Sequence, residues 1–261
     1  MGVTTQTAAL DPVMAPAARG QSPAAAAWRR LLSSPVARVG LVIVCVFAVT
    51  ATLAPFVHHY DPKTDSNLGE RLKPPGGGHP FGTDSLGRDI LVRVIHAARV
   101  SLGLGISSVI VAAAIGSLLG LLAGYVGGTT DLVTMFCMDI LLAFPGTLLA
   151  IAIVAMIGPG LRNSLLAIST VAIPIYARIA RGAVLELREL EFVTAAKALG
   201  GSGPHVVLRH IFPNTLPPLI VQTTLAIAFA ILEAAALGFL GLGAQPPTPE
   251  WGAMLSDSYK Y

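Results

Sequence analysis

Apolar residues in this chain fall in long uninterrupted runs, neither alternating with polar ones nor confined to a stripe. Val39 to Val57 and Val100 to Val126 hold no Asp, Glu, Lys or Arg. A helix needs about 20 such residues to cross the hydrocarbon core of a bilayer. The runs therefore predict five transmembrane helices, over 39–57, 100–126, 132–157, 163–180 and 215–240. Membrane β-strands alternate apolar and polar residues over about ten positions, which these runs do not. Within lipid only helices or closed barrels satisfy their backbone groups, so the expected fold class is all-α, a polytopic helical membrane protein.

Features inside the runs add detail. Gly116, Gly120 and Gly124 recur every four residues, on one helix face where a neighbouring backbone can come close. Pro145 and Pro174 stand inside apolar stretches, where a kink or local unwinding is expected. Such breaks suit a gated path and also occur for structural reasons alone. Asp139 and Glu233 are acids in apolar surroundings. An ionised side chain at the bilayer centre costs several kcal/mol, so each is expected to find a partner: an interhelical tie first, substrate contact second. Cys45 and Cys137 read as small packing residues.

Between the spans, basic residues suggest an orientation. Trp28, Arg29, Arg30 and Arg38 precede the first span and place the N-terminus in the cytoplasm. Residues 1–38 read as a flexible cytoplasmic tail, since Met1 to Ala27 is rich in Ala, Pro, Ser and Thr. The first apolar run starts too late for a cleaved signal peptide. Residues 58–99 are then an extracytoplasmic loop, 100–240 a core with a cytoplasmic loop at 181–213, and 241–261 an extracytoplasmic segment. Arg178, Arg181, Arg188, Lys197 and Arg209 agree with the cytoplasmic placement of their segment. The outer loop agrees less well, with Lys63, Arg71, Lys73, Arg88, Arg93 and Arg99 diluted by Asp61, Asp65, Glu70, Asp84 and Asp89. Its stretches Gly82-Thr83-Asp84 and Gly87-Arg88-Asp89 predict a compact turn and short helix at the outer interface.

Composition closes off other classes of function. The 261 residues are 54% hydrophobic and 12% charged, against about 45–50% and about 25% in a soluble domain. The net charge of +3 is scattered and aromatics are 6%, which points to no nucleic-acid partner. Neither Gly-x-Ser-x-Gly nor His-Glu-x-x-His occurs, and His205 and His210 are five apart, not four. The six histidines, His58, His59, His79, His96, His205 and His210, read as solvated side chains at membrane borders. A lone secondary transporter would explain the spans, but it would show internal repeats, and none is found.

The stretch from Arg181 to Ala198 reads as two short helical pieces, the second ending at Gly200-Gly201. A short helix exposed to water beside a membrane domain reads as a surface for docking into a partner's groove. Thr194-Ala195-Ala196, three residues, Gly200, nine residues and then His210-Ile211-Phe212-Pro213 is similar to the EAA loop of ABC importer permeases. That loop reads E-A-A, three residues, G, nine residues, I-x-L-P; Thr194 stands here for its Glu, and His210 and Phe212 for its Ile and Leu. Four further stretches resemble the C-type subunit of the dipeptide/oligopeptide/nickel permeases: His79-Pro80-Phe81-Gly82-Thr83-Asp84-Ser85-Leu86-Gly87-Arg88-Asp89, Asp139 to Pro145, Arg209 to Asn214 and Phe239 to Gly252.

The resemblance implies a type I ABC importer permease fold in which the loop is a coupling helix seated on an ATP-hydrolysing subunit. Carried onto this chain, coupling falls to Thr194, Ala195, Ala196 and Gly200, with Glu191, Arg188 and Lys197 as polar contacts. The implied partners are a second, B-type permease subunit, two ABC ATPases, an extracytoplasmic substrate-binding protein and membrane lipid. The chain itself would be no enzyme and hold no metal or cofactor, ATP and Mg belonging to the ATPases. Short peptides, dipeptides first, are the implied cargo, with haem, nickel or glutathione as alternatives, moved across the cytoplasmic membrane. Such permeases continue beyond the Trp251-Gly252 region into a last transmembrane helix, which the resemblance implies is missing here.

Overall fold

The computed structural model describes residues 28–29, 31–57, 60–61 and 64–261. Most of the expected tail, residues 1–27, lies outside the described residues, as do Arg30, His58, His59 and Lys63. The elements are α1 (Pro35–Val57), a 3₁₀ turn (Leu68–Glu70), α2 (Ile90–Val126), α3 (Gly128–Leu142), α4 (Gly146–Ile157) and α5 (Leu161–Leu187). They continue with α6 (Glu191–Ala198), α7 (Gly203–Val206), a π-helical turn (Val207–Ile211), α8 (Phe212–Phe239) and α9 (Trp251–Ser258). Among the described residues no strand forms beyond two isolated bridges, so the all-α expectation holds.

Among the described residues four helices are long and apolar enough to cross a membrane: α1, α2, α5 and the continuous run Gly203–Phe239. The fifth expected span, 132–157, is not one straight helix. It is the pair α3 and α4, bent by 91° across Ala143 to Pro145. Pro145 is responsible, because it has no N–H to give the helix and forces its predecessor away from helical dihedrals. Pro174 has no such effect, since α5 runs unbroken through it.

Several boundaries move outward from the apolar runs. Helix α1 begins at Pro35, not 39, because proline fits a helix's first turn, so the tail is helical before residue 38. Helix α2 begins at Ile90, ten residues before the expected 100. The Asp89 carboxylate accepts the Val92 amide at 3.1 Å, capping a helix whose first turns carry Arg93, His96 and Arg99. At 37 residues, α2 is about 55 Å long, well beyond the hydrocarbon thickness. The first of the two short pieces expected after Arg181 is the last part of α5, which keeps going to Leu187 because Val184 is still buried.

The chain divides into two compact units, residues 1–48 and 49–261. In the first, α1 exposes Val39, Val42 and Phe47. In the second, α2, α5 and α8 pack together around Leu104, Val109, Ala112, Ile168, Tyr176, Leu219 and Leu237. The glycine face of α2 is what lets α5 in. A Cβ on Gly116 would stand 2.5 Å from the Ile173 carbonyl oxygen, one on Gly120 2.8 Å from Ala180 Cβ, and one on Gly124 2.9 Å from Val184 Cβ. Near the centre, the Tyr176 hydroxyl bonds Thr223 Oγ1 at 3.2 Å. Cys45 and Cys137, expected to pack inside, are both exposed.

Candidate functional site

One end of the bundle carries α6. Its anchor is a closed apolar cluster of Leu121 from α2, Val184 from α5, Val193, Val206 and Ile211. Val193 is the one fully buried residue of α6, and burying a valine contributes about 1.5–3 kcal/mol. The rest of α6 faces away. Glu191, Thr194, Ala195 and Lys197 are exposed, Ala196 is half-buried, and Leu199 just past the helix is 89% exposed.

Gly200 explains how α6 stops. The Gly200 amide donates to the Lys197 carbonyl at 2.9 Å and the Gly201 amide to that of Ala196 at 3.0 Å, the paired bonds of a Schellman ending. That ending needs its first residue in the left-handed region, and Gly200 has φ +84°. The glycine three residues after Thr194-Ala195-Ala196 is thus a backbone requirement.

Two of the candidate polar contacts point inward. Arg188 Nη1 donates to the Gly124 carbonyl at 3.1 Å, near the end of α2, while its Nε pairs with Glu189 at 3.0 Å. Lys197 Nζ lies 5.6 Å from the centre of the Tyr125 ring, also on α2. Glu191 is left at the exposed first turn of α6. Thr194, Ala195, Glu191 and Gly200 thus share the outer surface, whereas Arg188 and Lys197 fasten that surface to α2.

The intramembrane acids part company. Asp139 on α3 receives Arg178 of α5 at 2.6 Å, the interhelical tie expected of it. Glu233 on α8 is half-buried and, among the described residues, accepts no hydrogen bond and forms no ion pair. A second tie between α3 and α5 was not legible beforehand: Arg181 grips Asp131 with both Nε and Nη2, the latter at 2.6 Å. Asp131 sits in the first turn of α3, close to a break that no apolar run marks.

At the opposite end, residues 68–101 and 239–258 close over α2 and α8. The expected turn is there, built on Asp84. Its Oδ1 accepts the Leu86 amide at 2.8 Å and the Arg88 amide at 2.9 Å, and Oδ2 pairs with Arg88 Nε at 2.8 Å and with Arg93. Burial alone raises this carboxyl, but the two amides and the two guanidinium groups outweigh it and hold it below the ordinary range. The short helix lies at Leu68–Glu70, before the turn, and from Ile90 the expected loop is α2.

His79 is no merely solvated side chain. Its Nδ1 lies 2.9 Å from Asp89 and its Nε2 2.8 Å from Glu70, so both nitrogens face acceptors. The bonds to Asp89 and Glu70 raise the imidazole above its usual value. His96 bonds the Val92 carbonyl at 3.0 Å, and His205 lies edge-on to His210 at 5.9 Å. Glu250, 1% exposed, takes the amides of Gly252 and Ala253 at 2.9 Å each and the Ser101 hydroxyl at 3.2 Å. It caps α9 and ties it to α2. The sequence signal was a Glu directly before Trp251-Gly252. Among the described residues no cluster of His, Cys, Asp or Glu could hold a metal.

Known proteins share long stretches of this sequence. Residues 116–259 match the binding-protein-dependent transport system inner membrane component family, and residues 22–75 match the N-terminal transmembrane domain of oligopeptide transport permease C. The chain is 49% identical over 240 residues to the dipeptide transport system permease protein DppC of Alkalihalophilus pseudofirmus, covering 92% of this chain and 79% of that one. It is 45% identical over 246 residues to the di/tripeptide transport system permease protein DppC of Pseudomonas aeruginosa, covering 92% and 81%. The glutathione transport system permease protein GsiD of Pectobacterium atrosepticum is 42% identical over 231 residues, covering 88% and 77%. With a helical multi-pass core matched over more than half its length, the chain belongs to the family of inner membrane components of binding-protein-dependent transport systems.

Proposed function

We propose that this protein is a transmembrane permease subunit of an ATP-driven importer of short peptides, dipeptides first among them. The observation that carries the coupling role is α6, an eight-residue helix anchored through Val193, with Ala196 half-buried and Lys197 beside Tyr125, whose remaining residues are exposed. The names of the relatives support the cargo, since two of the three described are dipeptide or di/tripeptide permeases. The glutathione permease is compatible with the same reading, glutathione being itself a small peptide.

In this reading the α6 end lies in the cytoplasm and the α9 end outside, with the N-terminus cytoplasmic. Glu191, Thr194, Ala195, Ala196 and Gly200 form the face that meets an ATPase subunit. Arg188 and Lys197 transmit its movement to α2. ATP and Mg act in the ATPases, and the chain's own part is a two-state body biased by nucleotide on one side and by a loaded binding protein on the other. A second permease subunit completes the path.

The test is a tagged pull-down from native membranes followed by mass spectrometry, paired with uptake in proteoliposomes. Co-purification of ATPases, a sister permease and a binding protein, with ATP-dependent dipeptide uptake, is the expected result. Gly200→Val is expected to lower uptake per ATP. No atom lies within 4 Å of a Cβ there, so the change acts through the left-handed backbone, at about 1–2 kcal/mol. Recovery of this chain alone, active without ATP, would refute the proposal and favour a secondary transporter.

A further inference from the structure

Glu233 stands in α8 six residues before its end at Phe239, about 9 Å along the axis. Its helix neighbours Ala230, Ala234 and Leu237 are buried, whereas Phe229 and Leu232 are 68% and 66% exposed. The carboxylate therefore lies on the seam between the core stripe and an open one. Across from it is the break between α3 and α4. A Cβ on Gly146, the first residue of α4, would stand 3.7 Å from Glu233 Oε1 and 3.0 Å from Val171 Cγ1 of α5. Helices α4, α5 and α8 thus meet at Gly146, beside the carboxylate and next to the one bend of 91° among the described residues.

The arginines toward the far end of α5 are committed elsewhere, and Arg162, exposed in its first turn, stands about 14 Å along the axis from Val171. Arg178 is on Asp139, Arg181 on Asp131, and Arg188 on Glu189 and Gly124. An unpaired carboxylate in an apolar span costs several kcal/mol, so what offsets it comes from outside the chain. A peptide arriving through the path brings one cation whatever its side chains are, the α-ammonium group. Its other end is an anion that Glu233 repels. A single acid therefore both attracts such a cargo and orients it.

We propose that Glu233 is a binding residue on the translocation path that receives the primary ammonium group of the peptide. This rests on the importer reading above. The test uses the assembled complex in proteoliposomes, importing dialanine while treated with a water-soluble carbodiimide. The reagent activates a carboxylate, a touching amine displaces it to form an amide, and the carbodiimide leaves as its urea with the oxygen. Mass spectrometry then reads what amine was in contact. The expected result is a dialanine adduct on the Glu233 fragment. Glu233→Gln is expected to abolish that adduct and lower import per ATP at least tenfold, with assembly and binding-protein-stimulated hydrolysis within twofold of wild type, and Glu233→Asp to restore most of the import.

An adduct with a lipid amine, or with a lysine of another subunit, would overturn the proposal, identifying Glu233 as a lipid contact or a subunit tie. So would a Glu233→Gln complex that imports normally, or one that fails to assemble. A wild-type complex that assembles and hydrolyses ATP but imports no dipeptide would refute the peptide reading itself, and this proposal with it.

Discussion

Two glycines of α2 allow one chemical change to be compared at two depths of packing. At Gly120 a Cβ would meet Ala180 Cβ at 2.8 Å and the Arg181 backbone nitrogen at 2.9 Å, where ordinary contact begins at 3.4 Å. The Ala177 carbonyl oxygen is closer still, so helices α2 and α5 must part by roughly an ångström, a gap that forfeits about half of each dispersion contact. At Gly103, on the same helix, nothing lies within 4 Å. Both Gly→Ala changes gain about 0.8–1 kcal/mol of helix propensity, so that contribution cancels between them. Only Gly120→Ala adds an overpacking cost, about 1–3 kcal/mol. Denaturation of the purified protein in mixed micelles should place Gly120→Ala less stable than Gly103→Ala by that amount. Equal stabilities within about 0.5 kcal/mol would show that the glycine face is not a tight contact and would falsify the packing account.

Further predictions follow from the polar groups. Removing the Asp84 carboxylate by Asp84→Ala leaves Arg88, 6% exposed, with an uncompensated buried charge and Arg93, 5% exposed, with only the Asp257 carboxylate at 3.9 Å, and should cost about 3–5 kcal/mol in thermal unfolding. His79, raised from 6.5, stabilises the outer loop fully below that value and loses its contribution as pH rises through the raised value. Glu70, lowered from 4.5 by its bonds to Lys73 and His79, contributes above that value and loses its contribution as pH falls through the lowered one. Hydrogen-exchange protection over 68–89, corrected for the intrinsic pH dependence of amide exchange, should therefore be highest between the two, at mildly acidic pH, and His79→Gln should remove its decline on the alkaline side.

What the sequence conveyed divides along physical lines. Long apolar runs are the demand of lipid on backbone, so the helical class was legible from composition and run length alone. The Gly116, Gly120 and Gly124 repeat was legible because a four-residue spacing can mean only one helix face. Helix ends were not, since α2 starts among Arg93, His96 and Arg99, and α5 continues past Arg181; both ends leave the greasy stretch that betrays a span. Pro145 and Pro174 look alike in sequence, yet only the first breaks its helix. The segment proposed for coupling was picked out by its spacing, but the spacing could not tell that Arg188 and Lys197 turn back onto α2. Long-range pairs such as Arg181 with Asp131 and Glu250 with Ser101 carried no periodic signal at all.

The structure distributes stiffness unevenly, and the unevenness follows from the residue types at each contact. Helices α2 and α5 touch backbone to side chain through glycines that leave no slack, and α6 is fastened to the same pair by Val193, Arg188 and Lys197. Close-packed contacts of this kind move as one body or not at all. Helix α3 meets α5 differently, through two Arg–Asp pairs of which one is more than half exposed, and it has just one buried residue, Met138. Flexible arginines can lengthen or re-pair with little loss, whereas a glycine seam cannot. A displacement applied at α6 is therefore expected to carry α2 and α5 with it, and relative motion within residues 49–261 to fall where α3 meets its neighbours, at the bend that leads to Gly146 and Glu233.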